Sequence, residues 1–502
     1  MTVPTAVTAI DAEPGAVTDR LSGSAVALPE GLLGRLAASG AEVLADDASR
    51  AEAGRDWWPV AIGWAAEGAV PQRPGAVVRP HTTEQVSAVL ALCHDALIPV
   101  TAAAGRSGVC GGSIPVFGGV ALDLTSLEGL IGVDETSLTA DVRAGTFGPD
   151  LETALGRVGV GYTLGHWPQS MDLSTVGGWL ACRGAGQYST RYGKIEDMVR
   201  GLEVVLADGR IVRTEGHGPR AATGPNMTQL FVGSEGTLGV ITAARVRIHP
   251  LPSAQERRAF GFTTFAAGLD ACRRIMRRGA TPAVLRLYDE VESVRTFEQA
   301  GTNVLIVLDE ADPALLAATL VVVDDECAAA GAQPMDVALV ERWLTHRNDV
   351  SALAPLWRAG VVVDTAEISG SWAVLPVLFD EVVRALKAID GTLVASAHQS
   401  HAYTDGACLY FTFAGKGPEG DDAWREGYYR QAWDTVTTTT MEHGAAISHH
   451  HGIGLNRSRF LPRALGSGFD VLVGLKKSLD PAGILNPGKL GLPSPFGPSP
   501  WS

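Results

Sequence analysis

The chain has 502 residues, 46% of them hydrophobic, and a formal net charge of −15 at neutral pH. That length and apolar share can fill more than one core, so two domains with extensions are expected. The acidic balance excludes nucleic acid as an expected partner but leaves room for a local basic pocket around one phosphate-bearing ligand.

In chain order, residues 1–28 read as a disordered tail, polar and lacking the apolar stretch of a signal or transit segment. Residues 29–74 form an extension with a helix at Leu32–Ala38 and the pair Trp57-Trp58 to pin it down. Residues 75–250 alternate short strands with helices. A helix opens after Pro80-His-Thr-Thr-Glu-Gln-Val86, strands are expected at 98–101, 119–124 and 138–143, and a helix at 149–156. A hairpin over 202–213 is expected to turn on two positive φ angles at Asp208-Gly209.

Pro250-Leu-Pro252 marks a boundary, beyond which 251–440 read as an α+β unit with a helix at 266–278 and strands at 260–263, 284–288 and 304–308. The aliphatic run 314–323 is about half of the ~20 residues that span a bilayer, so it reads as a buried helix. Residues 441–492 hold a triple-His motif and a closing helix at 463–479, stopped by Pro481 and Gly483. The Pro-rich 493–502 read as a loose tail. Six scattered cysteines without a Cys-x-x-Cys pair argue against a disulfide framework or a zinc site. The expectation is a cytoplasmic protein without a transmembrane segment.

Three glycine-rich turns carry the strongest signal. Ala104-Gly105-Arg106-Ser107-Gly108-Val109 follows an apolar strand. Residues 161–186 include Pro168, Asp172, Ser174-Thr175, Gly177-Gly178-Trp179 and Arg183. Gly233-Ser-Glu235-Gly236-Thr-Leu-Gly239-Val240-Ile241 closes the set. Glycines let backbone N–H groups approach phosphate oxygens and form anion-binding nests. The three turns in this order strongly resemble the FAD-binding domain of the vanillyl-alcohol oxidase and p-cresol methylhydroxylase superfamily. The resemblance implies an α+β fold, with a two-subdomain FAD-binding domain, an α+β substrate cap and C-terminal helices, and FAD held by the residues just named. Tether positions used by relatives lack His in 101–112, and Cys110 and Cys182 lie off them, so noncovalent FAD is expected. Gly415-Lys-Gly-Pro-Glu-Gly420 fits a dinucleotide pattern only literally, because its Pro and the missing βαβ unit make it a loop, so NAD is not indicated.

Two further segments carry candidate chemistry. Strand alternation over 403–413 sets Leu409, Phe411 and Phe413 on one face and Cys408, Tyr410 and Thr412 on the other, so Tyr410 could face a cavity or be a satisfied core tyrosine. In Ile447-Ser-His449-His450-His451-Gly-Ile-Gly454, alternation sets His449 and His451 opposite His450. Three imidazoles there suit metal ligation, proton transfer or polar ligand contacts. Proton transfer is favoured, because an imidazole titrates near pH ~6.5.

These motifs, with Leu285-Arg286-Leu and 165–170 through 195–197, look most like the alkyl-dihydroxyacetone-phosphate synthase branch over roughly residues 55–490. The resemblance implies that Tyr410, His450, His451 and Arg286 line the substrate side of the flavin, with the arginine near the tyrosine to favour its phenolate. The dehydrogenase branch is a more distant likeness. Its metal-binding Glu would fall on His450 and one of its His on Tyr410, so no metal site is expected, although binding at His398, His401 and His451 stays open. Two reactions on a small molecule follow. One is oxidoreductase chemistry at flavin N5 on a small hydroxy or keto substrate, with Tyr410 and His450 moving the proton. The other is a redox-neutral exchange of acyl for alkyl, in which a lipid substrate would add peripheral membrane contact. A homodimer is compatible with either.

Overall fold

The computed structural model describes residues 9–21, 25–214, 218–349, 353–418 and 420–501. Its first sheet has four strands, in the order Glu42–Leu44, Ala76–Arg79, Val120–Asp123 and Val100–Ala103, the last three parallel. The helix Thr83–Asp95 crosses between parallel strands, as parallel pairing requires. It starts where the sequence signals: Thr82 Oγ1 accepts from Gln85 N–H, and the Gln85 side chain accepts from His81 N–H.

A second, antiparallel sheet runs in the order Ile211–Arg213, Val199–Val205, Val240–Arg247, Thr139–Arg143 and Leu130–Asp134. Leu202, Val204, Ile241, Ala244 and Val246 sit in one core cluster with Trp179 and Leu180 from the second glycine segment, so the sheet anchors that segment.

The third sheet has seven antiparallel strands in the order Gln333–Pro334, Ala254–Phe262, Asn303–Ala311, Val284–Tyr288, Thr392–Ala402, Gly406–Lys416 and Val361–Ser371. Its period-two pattern separates two environments. Leu285, Leu287, Ala397, Leu409, Phe411 and Phe413 join the largest core cluster with residues of the helices Phe265–Arg277, Leu375–Lys387 and Asp422–Glu442. Arg286, Tyr288, His398, Tyr410 and Thr412, on the other face, line the main cavity. The chain then returns to the first sheet, where Asn486 N–H donates to Val100 O and Val100 N–H to Ile484 O. Among the described residues, no helix is long and apolar enough to cross a membrane.

Several local expectations are corrected. Residues 1–8 and 22–24 of the expected disordered tail lie outside the described residues, but Thr18–Asp19 pairs with Ala69–Val70 and Arg20 bonds Glu426. The expected loose tail, whose last residue lies outside the described set, is anchored: Trp501 is 2% exposed and packs edge-on against Trp58 and Trp64. Proline forbids regular structure there without forbidding burial. At the hairpin only Gly209 takes positive φ, and Leu206 N–H donates to Arg210 O, so three residues make the connection. Asp208 instead accepts Arg210 N–H on its side chain. The closing helix is two pieces, Leu461–Leu465 and Gly468–Leu479, broken at Gly466 with φ 53° and ψ −131°. The run 314–323 lies in the helix Pro313–Ala329, which buries Leu316, Leu320 and Val323 but leaves Leu315 63% exposed, so only one face is covered.

Candidate active site

The glycine segments converge on a cavity of about 840 Å³, with the seven-stranded sheet as its opposite wall. Small-molecule sites span roughly 300–1,000 Å³, so this one suits a large ligand. The first two segments touch directly: a Cβ on Gly105 would lie 1.8 Å from Leu173 O, so any other residue there would push the turns apart. Thr175 Oγ1 caps the helix Val176–Cys182 by accepting from Gly178 N–H.

Of the expected cofactor contacts, Ala104 to Val109, Pro168, Asp172, Ser174, Thr175, Gly177, Gly178, Trp179, Glu235, Gly236, Gly239, Val240 and Ile241 line the cavity. Arg183 does not. It ends its helix in the left-handed region, its side chain is 60% exposed and it pairs with Glu196. Glu235 lines the wall, but its carboxylate is taken by the backbone N–H groups of Ile453 and Gly454.

The donor set fits FAD on an observation of this structure. Arg106 Nε and Nη2 are buried without protein partners, and so are both ring nitrogens of His166, another cavity residue. Burial pushes the His166 imidazole down to about 3, so it is neutral at pH 7. Buried polar groups without partners mark where a polar ligand belongs. His166 lies inside the second glycine segment, yet nothing in its type or spacing marked it as a contact.

On the sheet wall a cross-strand row runs Tyr288, His398, Tyr410, Glu367. The His398 ring stacks on Tyr288 at 5.1 Å and on Tyr410 at 5.0 Å. Arg286 donates from Nη2 to His398 Nε2 at 2.7 Å and from Nε to the Tyr288 hydroxyl at 3.1 Å. Because Arg can only donate, His398 accepts at Nε2 and offers Nδ1–H to Glu292 at 2.8 Å. The expected pairing of Arg286 with a Tyr410 phenolate is therefore corrected: the guanidinium is used by His398 and Tyr288. Burial, seconded by the Glu367 carboxylate, pushes the Tyr410 phenol well above its usual range, so it stays protonated.

The triple-His segment is a loop, which overturns the alternation reading. Its shape comes from Glu367, fully buried on the strand Val361–Ser371, whose carboxylate accepts from the N–H groups of His449 and His451 and from Ser448 Oγ. Arg457, also fully buried, pairs with Glu367 at 2.9 Å and donates to Gly452 O. Burial works against the Glu367 charge, but Arg457 and the nearby histidines outweigh it and hold the carboxyl well below its usual range. Neither residue carried a sequence signal, because the partners lie about 90 positions apart.

Within the loop, Tyr410 Oη lies 2.6 Å from His451 Nε2, while His451 Nδ1 lies 3.7 Å from Glu367. His450 lines the cavity; His449 is not among the lining residues. Burial pushes His449 and His450 down to about 3 and His451 to about 4, so all three are neutral at pH 7. The expectation of titration near neutrality is thus corrected. Ring nitrogens of His401, His449 and His450 come within 4.8 Å of one another, a tighter gathering than the sequence implied. The Nδ1 atoms of His449 and His450 face each other at 2.9 Å, hydrogen-bond distance.

Comparison with known proteins agrees with this geometry. Residues 74–215 match the FAD binding domain, and residues 251–490 match the C-terminal domain of FAD linked oxidases. An alkyldihydroxyacetonephosphate synthase of Dictyostelium discoideum is 31% identical over 84% of this chain and 74% of its own. The uncharacterized FAD-linked oxidoreductase YgcU of Escherichia coli O157:H7 is 33% identical over 83% of this chain and 89% of its own. A solved alkyldihydroxyacetonephosphate synthase superposes with a TM-score of 0.77 at 26% identity, covering 97% of this chain and 90% of that one. FAD is accordingly the cofactor, and the chain belongs to the FAD-linked oxidases of the vanillyl-alcohol oxidase and p-cresol methylhydroxylase superfamily.

Proposed function

We propose that the chain is an FAD-dependent oxidoreductase that takes a small hydroxy or keto substrate, with Tyr410 and His450 handling the substrate proton. The observation that carries this reading is the single cavity shared by the glycine turns, Arg286, Tyr410, His450 and His451. Bound FAD would supply a hydride acceptor at N5, chemistry that side chains lack. The chain's own groups orient the substrate and move its proton. Tyr410, a neutral phenol, donates a hydrogen bond to a substrate oxygen or to His451 Nε2. His450, whose Nδ1 is turned onto His449, offers Nε2 to a hydroxyl proton. His449, outside the lining, acts behind them.

A second reading is the redox-neutral exchange of acyl for alkyl. It is supported by the synthase relatives and by Arg286, Tyr410, His450 and His451 all facing the cavity, as that resemblance implies. An anaerobic absorbance spectrum separates the two. Oxidation bleaches the flavin bands with a hydroxy substrate, whereas the exchange turns over dihydroxyacetone phosphate esters without net reduction.

FAD is held noncovalently in this reading, by backbone donors around 104–109 and 174–178 and by Arg106 and His166. Acid precipitation should free all yellow colour into the supernatant. Colour retained on washed precipitate would mean a covalent tether.

A further inference from the structure

We infer that His449 and Tyr403 form a proton relay that links His450, at the cavity wall, to the outside of the protein. The inference rests on the proposed proton transfer at His450 and deepens it. His450 Nδ1 lies 2.9 Å from His449 Nδ1, and His449 Nε2 lies 2.9 Å from Tyr403 Oη. His401 Nδ1 is 2.8 Å from Ser189 Oγ, which lies 3.3 Å from Tyr403 Oη and forms a side branch. Tyr403 is half-buried and followed by the exposed Thr404 and Asp405. The Lys194 ammonium lies 4.7 Å from its ring centroid. One row of hydrogen bonds therefore runs from the cavity-lining His450 to the part-buried Tyr403.

The Nδ1-to-Nδ1 contact ties the tautomers of the two rings to each other. Two facing nitrogens form a hydrogen bond only if one is protonated and the other bare. In one arrangement His450 carries Nδ1–H and leaves Nε2 bare, while His449 carries Nε2–H toward Tyr403. A proton arriving at His450 Nε2 then lets Nδ1–H pass to His449 Nδ1, and His449 Nε2–H passes to Tyr403 Oη. Tyr403 in turn releases its own hydroxyl proton to solvent water. One proton enters and one leaves, no charge accumulates, and each ring ends as the opposite tautomer. Return of the rings to the starting tautomers resets the row. Neutral imidazoles, each with one donor and one acceptor nitrogen, are the groups such a row needs. This accounts for a third histidine that does not line the cavity.

The test uses the FAD-loaded enzyme labelled with ¹⁵N-histidine. In the wild type His450 should read as protonated at Nδ1 and His449 as protonated at Nε2, the pair that the two contacts require. Both rings protonated at Nε2, which leaves no proton between the two Nδ1 atoms, would overturn the relay whatever the substrate. With a hydroxy substrate that bleaches the flavin, Tyr403→Phe should turn over about ten-fold more slowly, less than the ~10²–10⁴-fold of a direct acid–base group. Its solvent deuterium isotope effect should rise, and added imidazole should restore rate. His449→Gln, which keeps hydrogen bonds but cannot relay, should behave alike and serves if Tyr403→Phe folds poorly. A slow His450→Ala beside full-speed Tyr403→Phe and His449→Gln would overturn the relay alone. A full-speed His450→Ala would overturn the proposed proton transfer and the relay with it.

Discussion

Glu367 and Arg457 are both fully buried, and each answers the other's charge while the carboxylate also shapes the loop that carries the three histidines. Glu367→Gln keeps the side-chain length but leaves the Arg457 charge uncompensated. Breaking a buried pair from one side costs about 3–5 kcal/mol, so the urea midpoint should fall steeply. An unchanged midpoint would show the pair to be dispensable. Tyr410 and His450 belong to a different class, since they face the cavity. Tyr410→Phe and His450→Ala should keep the fold and bound FAD but lose turnover by roughly 10²–10⁴-fold. Wild-type turnover in both would return the loop to a structural role. A cation bound by His449 would have to break one of that ring's two hydrogen bonds, to His450 Nδ1 or to Tyr403 Oη. Dialysis against EDTA is therefore expected to leave activity intact. Zinc or manganese retained stoichiometrically, with activity lost on its removal, would refute that expectation.

Elements were legible where a repeating period or a cap specified them. Tyr410 faces the cavity, one of the two outcomes the alternation over 403–413 allowed, and the helix at Leu32–Ala38 stands where its apolar spacing put it. Legibility failed where long-range partners decide the outcome. The His loop reads as a strand until Glu367, some 82 residues upstream of His449, folds it back on itself. Arg183 is among the cofactor contacts the resemblance implies, but as the left-handed C-cap it turns its side chain to Glu196. The C-terminal tail misled in the same way. Its prolines were read for conformation, while its aromatics carried the burial signal. Trp501 meets Trp58 at 4.7 Å and takes the Arg430 guanidinium over its ring at 3.7 Å. Trp501→Ala should cost about 3–5 kcal/mol, the range for emptying a buried aromatic site. A denaturation midpoint equal to wild type would make the tail the ornament it first resembled.

At the scale of the whole molecule, the FAD-binding unit and the unit built on the seven-stranded sheet are tied to each other at the site. Glu235, from the third glycine turn, and Glu367, from the cap sheet, hold successive parts of the same loop, 448–454. Beside them residues 187–192 reach across: Gln187 bonds Arg347, Ser189 bonds His401, Arg191 pairs with Asp309 and Tyr192 donates to Glu310. The C-terminal return at Val100 fastens the far end of the chain to the first sheet. Domains joined only by a linker unfold separately, whereas units that share buried ion pairs lose them together. Thermal unfolding of the FAD-loaded protein should therefore be a single transition. Added FAD should shift that whole transition upward, since a ligand of the folded state adds about 2.7 kcal/mol at a hundredfold excess over its Kd. The calorimetric trace decides the matter. Two resolved peaks, with only the first moving as FAD is added, would mean that the cap folds independently and that the shared loop does not couple it to the cofactor.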